Sequence, residues 1–360
     1  MKFLLLKFYH SLKFTNNNGD SEFYLLNENE YRKLNFSVKT HVLLSAFIGG
    51  LMVLLLYLPQ YTYPSLFPEK TYTLPLIGNI KFNLNAFIFG LILIFIELLI
   101  LGLISMSLIH KISDITGYIT NKDIKIKNDQ YNNIGLEKKE KSQKNYGIYP
   151  YQGLPIWLVV SYNLLIILKA TLSNLVFKIL VKRLLGRYAL REILDLSGVP
   201  IFAFWNAFAT YQVAKQAKLY IMGQGLIQQY IKQLPESVSE NEKTIIYDTL
   251  QYIAISKRDY HYNHAVMTEQ LIKKYNINTE KIHLLPKDYF TKLTTLIPEE
   301  RIRYKNLVLM GYILDGNLSK KELKEIEKLN SSTQLSLKSI EIKEKLKDFV
   351  QGKGVNFYHQ

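Results

Sequence analysis

The sequence predicts an all-α integral membrane protein, in which a transmembrane helical hairpin is followed by a membrane-lying helical pair and a cytoplasmic helical domain. Three observations support this fold class. All long apolar runs lie in the first 225 of the 360 residues, two of these runs are long enough to cross a bilayer, and residues 226–360 have the pattern of soluble helices. About 20 apolar residues in a helix cross the hydrocarbon core, which is about 30 Å thick.

The predicted hairpin occupies residues 40–109, with helices at about 41–58 and 84–109. The first run contains no Asp, Glu, Lys or Arg and ends before Pro59, and the second run contains a single charge. Two pairs of small residues at a spacing of four lie on the first helix, and such pairs allow another membrane helix to approach closely. They are Ser45 with Gly49 and Ala46 with Gly50.

The distribution of charge predicts the orientation of the hairpin. Of the formal net charge of +15, residues 110–225 contribute +9. The loop at 59–83 holds two cations, whereas the N-terminal arm at 1–39 holds six. Because cationic flanks stay in the cytoplasm, both termini are predicted to lie there, in a bacterial inner membrane, with anionic lipid bound to the basic flank. The basic residues match no nucleic-acid-binding motif, so nucleic acid is not an expected partner.

The region at 155–225 follows a polar linker at 110–154 and leaves two topologies open. Its run at 155–181 is apolar enough to span a membrane but contains two asparagines and two lysines, one of them Lys169. If this run and the next both crossed, the five cations at 178–191 would face outside, which the orientation rule opposes. Two crossings with a membrane-associated helical pair is the favoured prediction, and four crossings is the alternative.

Glu97 lies near the middle of the second apolar run, where a charge is costly. Insertion experiments put that cost at about 2.5–3.5 kcal/mol for a charged residue at the centre of a helix. We therefore expect Glu97 to face protein, with one of three partners: Lys169, the polar face near Asn206, or another subunit. An assembly contact is the favoured interpretation, and a role in a proton or ion path is the alternative.

Residues 226–360 contain recognisable helix starts. Ser239 with Glu242 and Ser319 with Glu322 have the spacing of a capping box, in which two side chains bond reciprocally to free backbone N–H groups. Pro298 is placed to open another helix. A last amphipathic helix is predicted over residues 335–350.

One segment of this C-terminal region resembles a known family. The stretch YILDGNLSKKELKEIEKL at 312–329 is similar to the loop and helix of TerB-like domains, the helical modules named after tellurite resistance. The likeness covers about residues 235–335. An earlier stretch at 254–271 repeats the pattern at an offset of 56 residues, with Asp259, Tyr262 and Asn263 matching Asp315, Leu318 and Ser319.

The TerB-like resemblance implies a metal-binding role for acidic residues, with Asp315, Glu322 and Asp259 as candidates. The first copy departs from the family pattern, because Tyr260 replaces the glycine and Val266 replaces the glutamate. From the residues themselves, a turn followed by a helix cap is the better account, and no metal site is predicted.

A second resemblance concerns residues 199–223, VPIFAFWNAFATYQVAKQAKLYIMG. Its pattern of proline, asparagine, threonine and alanine is similar to that of the closing helix of EcsC-like bacterial membrane-associated proteins. The resemblance implies membrane association.

The sequence offers no catalytic motif. It has no cysteine, and it contains no nucleophile elbow, phosphate-binding loop, zinc-protease or dinucleotide-binding signature. His261 and His264 are three residues apart, and we expect them to be a surface pair rather than metal ligands. No enzyme activity and no cofactor are predicted.

The predicted function is that of a membrane-anchored scaffold or adaptor subunit, which presents a helical cytoplasmic domain to other protein subunits or to further copies of itself. One alternative is a transporter or channel subunit that uses Glu97 for proton or ion passage. The other alternative is a metal-responsive envelope stress protein, which depends on the TerB-like resemblance.

Overall fold

The computed structural model describes residues 7–8, 11–12, 25–68, 70–74, 78–118, 146–150, 152, 198–258, 260–333 and 335–357. The chain divides into two compact units. The first is called the hairpin unit and contains the described residues of 1–13, 33–112 and 198–215. The second is called the core unit and contains the described residues of 25–32, 113–152 and 216–357.

The described residues are mainly helical, as the sequence predicts. The helices are α1 (Glu28–Thr62), α2 (Leu84–Ile115), α3 (Gly198–Gln233), α4 (Glu240–Lys257), α5 (Tyr262–Tyr275), α6 (Tyr289–Thr294), α7 (Pro298–Ile313), α8 (Lys320–Ser332) and α9 (Ser339–Gln351).

In the hairpin unit, α1 runs antiparallel to both α2 and the first part of α3. His41 of α1 contacts Ser107 of α2, and Leu56 lies beside Gly90. Against α3, Ser45 contacts Thr210, and Val53 lies beside Gly198. The helices α2 and α3 therefore run parallel to each other.

A two-stranded antiparallel hairpin joins α1 to α2, in a segment that the sequence analysis treated as a loop. The strands are β1 (Lys70–Leu74) and β2 (Gly78–Phe82), with Lys70 opposite Phe82. Both strands are short and contain β-branched and aromatic residues, which favour extended backbone. The prolines and tyrosines of this segment instead favoured the prediction of a loop.

In the core unit, α4 is the central helix. It contacts α5, α6, α7 and α8, and most of its residues are buried. The surrounding core also includes the last turns of α3, through Leu226, Ile227 and Tyr230. Amphipathic helices that bury one face around a central helix explain why residues 226–360 have a soluble pattern.

Three of the predicted helix starts are confirmed, and the last helix begins four residues later than predicted. Ser239 Oγ accepts a hydrogen bond from the Glu242 backbone N–H at 3.2 Å. Ser319 and Glu322 form both halves of a capping box, at 3.3 and 2.6 Å. Pro298 occupies the first turn of α7, and the last helix begins at Ser339 rather than at 335.

Two segments that were predicted to be polar connections are structured. α1 begins at Glu28 inside the predicted arm, because Asn27 and Glu30 cap it reciprocally at 2.9 and 3.0 Å. The described residues of 146–152, inside the predicted linker, are bonded to the core unit. The boundary predicted between 225 and 226 falls within α3.

Candidate functional site

Glu97 of α2 is bonded to Asn206 of α3. The Asn206 side-chain amide donates to Glu97 Oε1 at 2.7 Å, and both side chains are half-buried. Of the partners that the sequence left open, the structure thus brings together Glu97 and Asn206. Lys169 lies outside the described residues. An amide donor can serve the ionised carboxylate, and it satisfies Glu97 without a second charge.

The small residues of α1 allow α3 to approach at the same level. A Cβ atom on Gly49 would lie 2.5 Å from the Phe202 carbonyl oxygen and 2.7 Å from Asn206 Nδ2. A Cβ atom on Gly50 would meet Val199 at 3.3 Å. Gly49 is therefore required where it lies, because any side chain there would displace the amide that bonds Glu97.

The other two small residues lie on the same helix. Ser45 is buried, and its hydroxyl accepts a hydrogen bond from the Thr210 hydroxyl at 2.7 Å. Ala46 is half-buried. Hydrogen bonds between helices and small residues at their contact are the usual means of association where no water is present to drive packing.

A third polar contact lies about one helical turn before Ser45, closer to the start of α1. His41 Nδ1 donates to the Ser37 carbonyl oxygen at 2.8 Å, and Nε2 then accepts from the Ser107 hydroxyl at 3.2 Å. Gly49, Ser45 and His41 are spaced by four residues, or about 6 Å per step along the helix axis. The polar contacts of the hairpin unit therefore form a column, which we call the polar column: Glu97–Asn206, Thr210–Ser45 and Ser107–His41.

The core unit contains a buried ionic centre that the sequence analysis did not predict. The Lys257 ammonium group, at the end of α4, lies 2.8 Å from Asp315 Oδ2 and 3.1 Å from Glu322 Oε1. It also donates to the carbonyl oxygens of Tyr312 and Asn317, at 3.3 and 2.8 Å. The Lys257 side chain has no solvent exposure. One lysine thus closes the whole turn between α7 and α8.

The metal candidates Asp315 and Glu322 are therefore partners of an internal cation. Their carboxylates face the Lys257 ammonium group, which occupies the position that a bound cation would take. Asp259 lies outside the described residues. Among the residues that the structure describes, no group of three or more His, Asp or Glu is arranged to hold a metal ion.

The protonation of Asp315 reflects two opposing effects. Burial raises the pKa of Asp315, and the attraction of the Lys257 ammonium group lowers it, with burial the larger of the two. A buried ion pair commonly behaves in this way, because removing two charges from water offsets much of their mutual attraction.

The two histidines form a helix cap, and the prediction of a surface pair is wrong for His264. His264 is wholly buried, and its Nε2 donates to the Gly311 carbonyl oxygen at 2.8 Å. Its Nδ1 accepts from the His261 backbone N–H at 3.1 Å, while His261 Nδ1 accepts from the Asn263 N–H at 3.2 Å. This is the arrangement of a capping box at the start of α5.

The internal repeat has a different register from the one predicted. The residue that caps α5 is His261 and the residue that caps α8 is Ser319, so the two helix starts differ by 58 positions. The predicted offset of 56 matches Asn263 to Ser319 instead. Asn263 is buried and has another role, since its amide donates to the carbonyl oxygens of Leu219 and Leu314, both at 2.9 Å.

Lys257 could not be assigned from the sequence alone. In the sequence, Lys257 is marked only as a cation that follows the apolar residues of an amphipathic helix. The position lies on the face of that helix that is buried in the structure. The sequence does not reveal that the facing carboxylates come from a turn far along the chain.

No protein-family model, curated protein or solved structure matches this chain.

Proposed function

We propose that the chain is a membrane-anchored scaffold or adaptor subunit, with the hairpin unit inserted in a bilayer and the core unit binding protein partners in the cytoplasm. The TerB-like and EcsC-like resemblances are part of this proposal. The expected partners are other subunits, including further copies of the chain, and anionic lipid at the cytoplasmic face.

The observation that carries the proposal is the exposed apolar surface of α2. Both α1 and α2 are long and apolar enough to cross a membrane, and only 6% of the apolar window of α2 is buried. The central helix of a soluble protein would bury such a window. The exposed side chains of α2, among them Phe87, Ile92 and Phe95, need lipid or another chain around them.

The register of α3 supports a third helix in the membrane. Gly198 lies beside Val53, near the end of α1 that leads into the β-hairpin. The part of α2 that belongs to the hairpin unit ends at Ile112, at the opposite end of the unit. The run at 155–181 lies outside the described residues, and by composition it is the candidate for a further span. If the hairpin unit spans a bilayer, this register favours the alternative of four crossings, which we propose in place of two.

The number of crossings can be tested by labelling single cysteines, because the chain has none of its own. A membrane-impermeant maleimide should label Gly186→Cys from outside the cell, as it labels Ser65→Cys in the loop after α1. Lys320→Cys in the core unit is the protected control. Protection of Gly186→Cys would instead restore the prediction of two crossings, in agreement with the five cations around that position.

The anchoring role is tested by alkaline extraction of membranes that contain the full chain. We expect the chain to remain in the membrane pellet, because apolar helices that face lipid are not released by high pH. Cross-linking in intact membranes should then capture a protein in a fixed ratio to the chain. Release of the chain into the alkaline supernatant would contradict the anchor, and a chain that never cross-links to protein would contradict the scaffold.

The polar column favours a second candidate function, the passage of protons along the hairpin unit. It places Glu97 at mid-helix and His41 near one end in a series of three polar pairs, spaced about 6 Å apart along the helix axis. Glu97→Gln keeps a hydrogen-bonding partner for Asn206 but cannot ionise. Loss of proton flux into liposomes with unchanged assembly in this variant would favour transport, whereas flux absent from the wild-type chain would exclude it.

A further inference from the structure

A groove on the core unit holds the described residues of 146–152, which are 146–150 and 152 and are called the segment below. The groove lies between α4 and the loop at 277–286. The segment runs alongside this loop, where Ile148 forms a parallel bridge with His283 and the His283 N–H donates to the Gly147 carbonyl oxygen at 2.7 Å. Pairing of an extended segment with an open backbone edge is a common mode of peptide recognition.

Most of the contacts in the groove are made to the main chain of the segment. The Gln251 side chain accepts from the Tyr149 N–H at 2.9 Å and donates to the Tyr149 carbonyl oxygen at 3.0 Å, as a neighbouring strand would. The Arg258 guanidinium group donates to the carbonyl oxygens of Pro150 and Gln152, at 2.6 and 2.8 Å. The Tyr247 hydroxyl donates to the Tyr146 carbonyl oxygen at 2.8 Å.

Three residues of the segment give the groove its specificity. Gly147 has a φ of +69°, and a Cβ atom there would collide with the Glu280 carbonyl oxygen. Ile148 is buried in the hydrophobic core. The Gln152 side chain accepts from Gln251 at 2.9 Å and from the Leu285 N–H at 3.0 Å. The recognised pattern is thus a glycine, an isoleucine directly after it, and a glutamine four residues further on.

The groove side is built to receive this segment. Gln251 is wholly buried, and its amide has both of its functions used by the segment. The Tyr247 ring stacks on His283 with a centroid distance of 3.8 Å, and His283 Nε2 is bonded to the buried Asp248 at 2.9 Å. The walls are therefore fixed by groups that do not belong to the segment.

We propose that this groove is a peptide-docking site and that residues 146–152 are its intramolecular ligand, which occludes the site against partner peptides of the same pattern. The partner that fits is an extended peptide with glycine followed by isoleucine and with glutamine four residues after the isoleucine. The site would give the proposed scaffold its docking surface, but peptide binding is independent of membrane insertion. A chain that is released from membranes and still binds the peptide would contradict the proposed function alone.

The test measures binding of a fluorescent peptide with the sequence of residues 144–153 to the full chain in detergent. Gly147→Val in the protein weakens the internal ligand, so the free peptide should bind this variant at least about tenfold more tightly than it binds wild type. A second variant, in which a Gly-Ser sequence of equal length replaces residues 146–152, should show the same gain. It empties the groove without a collision.

Two controls test whether the peptide binds in the groove. A peptide that carries valine in place of its glycine should bind neither variant. Adding Gln251→Leu to the Gly-Ser variant should abolish binding of the original peptide, while its thermal unfolding shows that the core unit is still folded. Equal affinity of the peptide for wild type and both variants, or no binding to a folded Gly-Ser variant, would overturn the proposal.

Discussion

The two units satisfy their carboxylates in opposite ways. In the hairpin unit, Glu97 is met by the neutral amide of Asn206. In the core unit, Asp315 and Glu322 are met by the Lys257 ammonium group, and Glu242 is met by Arg303 at 2.8 Å. In the core unit, whose carboxylates would be exposed to water on unfolding, the partners are charged. In the hairpin unit, which is proposed to lie in lipid, the partner of Glu97 is neutral.

The polar groups have different roles in the two units. The core unit already has a large apolar core, and its ionic centre fixes one turn at one place. The hairpin unit has little buried apolar surface of its own, so its few polar contacts and glycines decide which faces of α1, α2 and α3 meet.

The largest effect is expected for Lys257→Met. Removal of the ammonium group leaves two buried carboxylates without a counter-charge, which should lower the free energy of unfolding of the core unit by about 3–5 kcal/mol. Hydrogen exchange of residues 312–322 in the full chain measures the loss. Lys320→Met on the exposed start of α8 is the matched control, for which we expect a change within about 0.5 kcal/mol.

Neutralising the carboxylates sharpens this test. The triple variant Lys257→Met, Asp315→Asn and Glu322→Gln should recover part of the lost stability, because no charge is then left buried. If Lys257→Met alone costs less than about 1 kcal/mol, the ionic centre is not what holds the turn.

The next effect is expected for Gly49→Ala. The added methyl group would lie within collision distance of the Phe202 carbonyl, so α1 and α3 must separate, at a cost of about 1–3 kcal/mol. Gly90→Ala is the matched control, because its methyl group would lie at an ordinary 3.5 Å from Leu56. Disulfide formation between cysteines at Val53 and Gly198 reports the contact. Unchanged cross-linking in Gly49→Ala would show that the helices do not meet there.

Much of this architecture could be predicted from the sequence, and the omissions have physical causes. The apolar runs, the small residues of α1, the helix caps and the meeting of Glu97 with a polar residue of α3 depend on local patterns or on a single costly residue. Lys257, the groove and the buried His264 depend on contacts between segments far apart in the chain. The described residues of 146–152 lie inside the predicted polar linker, and only Gly147 and Pro150 distinguish them locally.

A smaller effect is expected for Glu97→Leu. If α2 and α3 lie in a membrane as proposed, loss of one hydrogen bond between them should weaken their contact by about 0.6–2 kcal/mol. Glu97→Gln should weaken it less, because its amide oxygen can still accept from Asn206. Cross-linking between cysteines placed on α2 and α3 in detergent measures both variants. If both behave as wild type, the contact with Asn206 does not contribute to assembly.

The smallest effect is expected for Asp315→Asn, and its sign depends on pH. Burial raises the pKa of Asp315 despite the attraction of Lys257. An acid whose pKa is raised in the folded chain binds its proton more tightly there than in the unfolded chain. Ionisation of Asp315 therefore lowers the free energy of unfolding as the pH rises above about 4, the usual pKa of an unfolded aspartate. The neutral amide should therefore change stability by less than about 1 kcal/mol at pH 7.

The free energy of unfolding of wild type, measured relative to Asp315→Asn, should accordingly fall as the pH is raised above about 4. Glu344→Gln, at an exposed position of α9, is the matched control and should show no such trend. If wild type instead gains stability over Asp315→Asn with rising pH, the attraction of Lys257 outweighs the cost of burial. The charges of the ionic centre would then contribute net stability to the core unit. The neutral contact between Glu97 and Asn206 has no such contribution from a second charge.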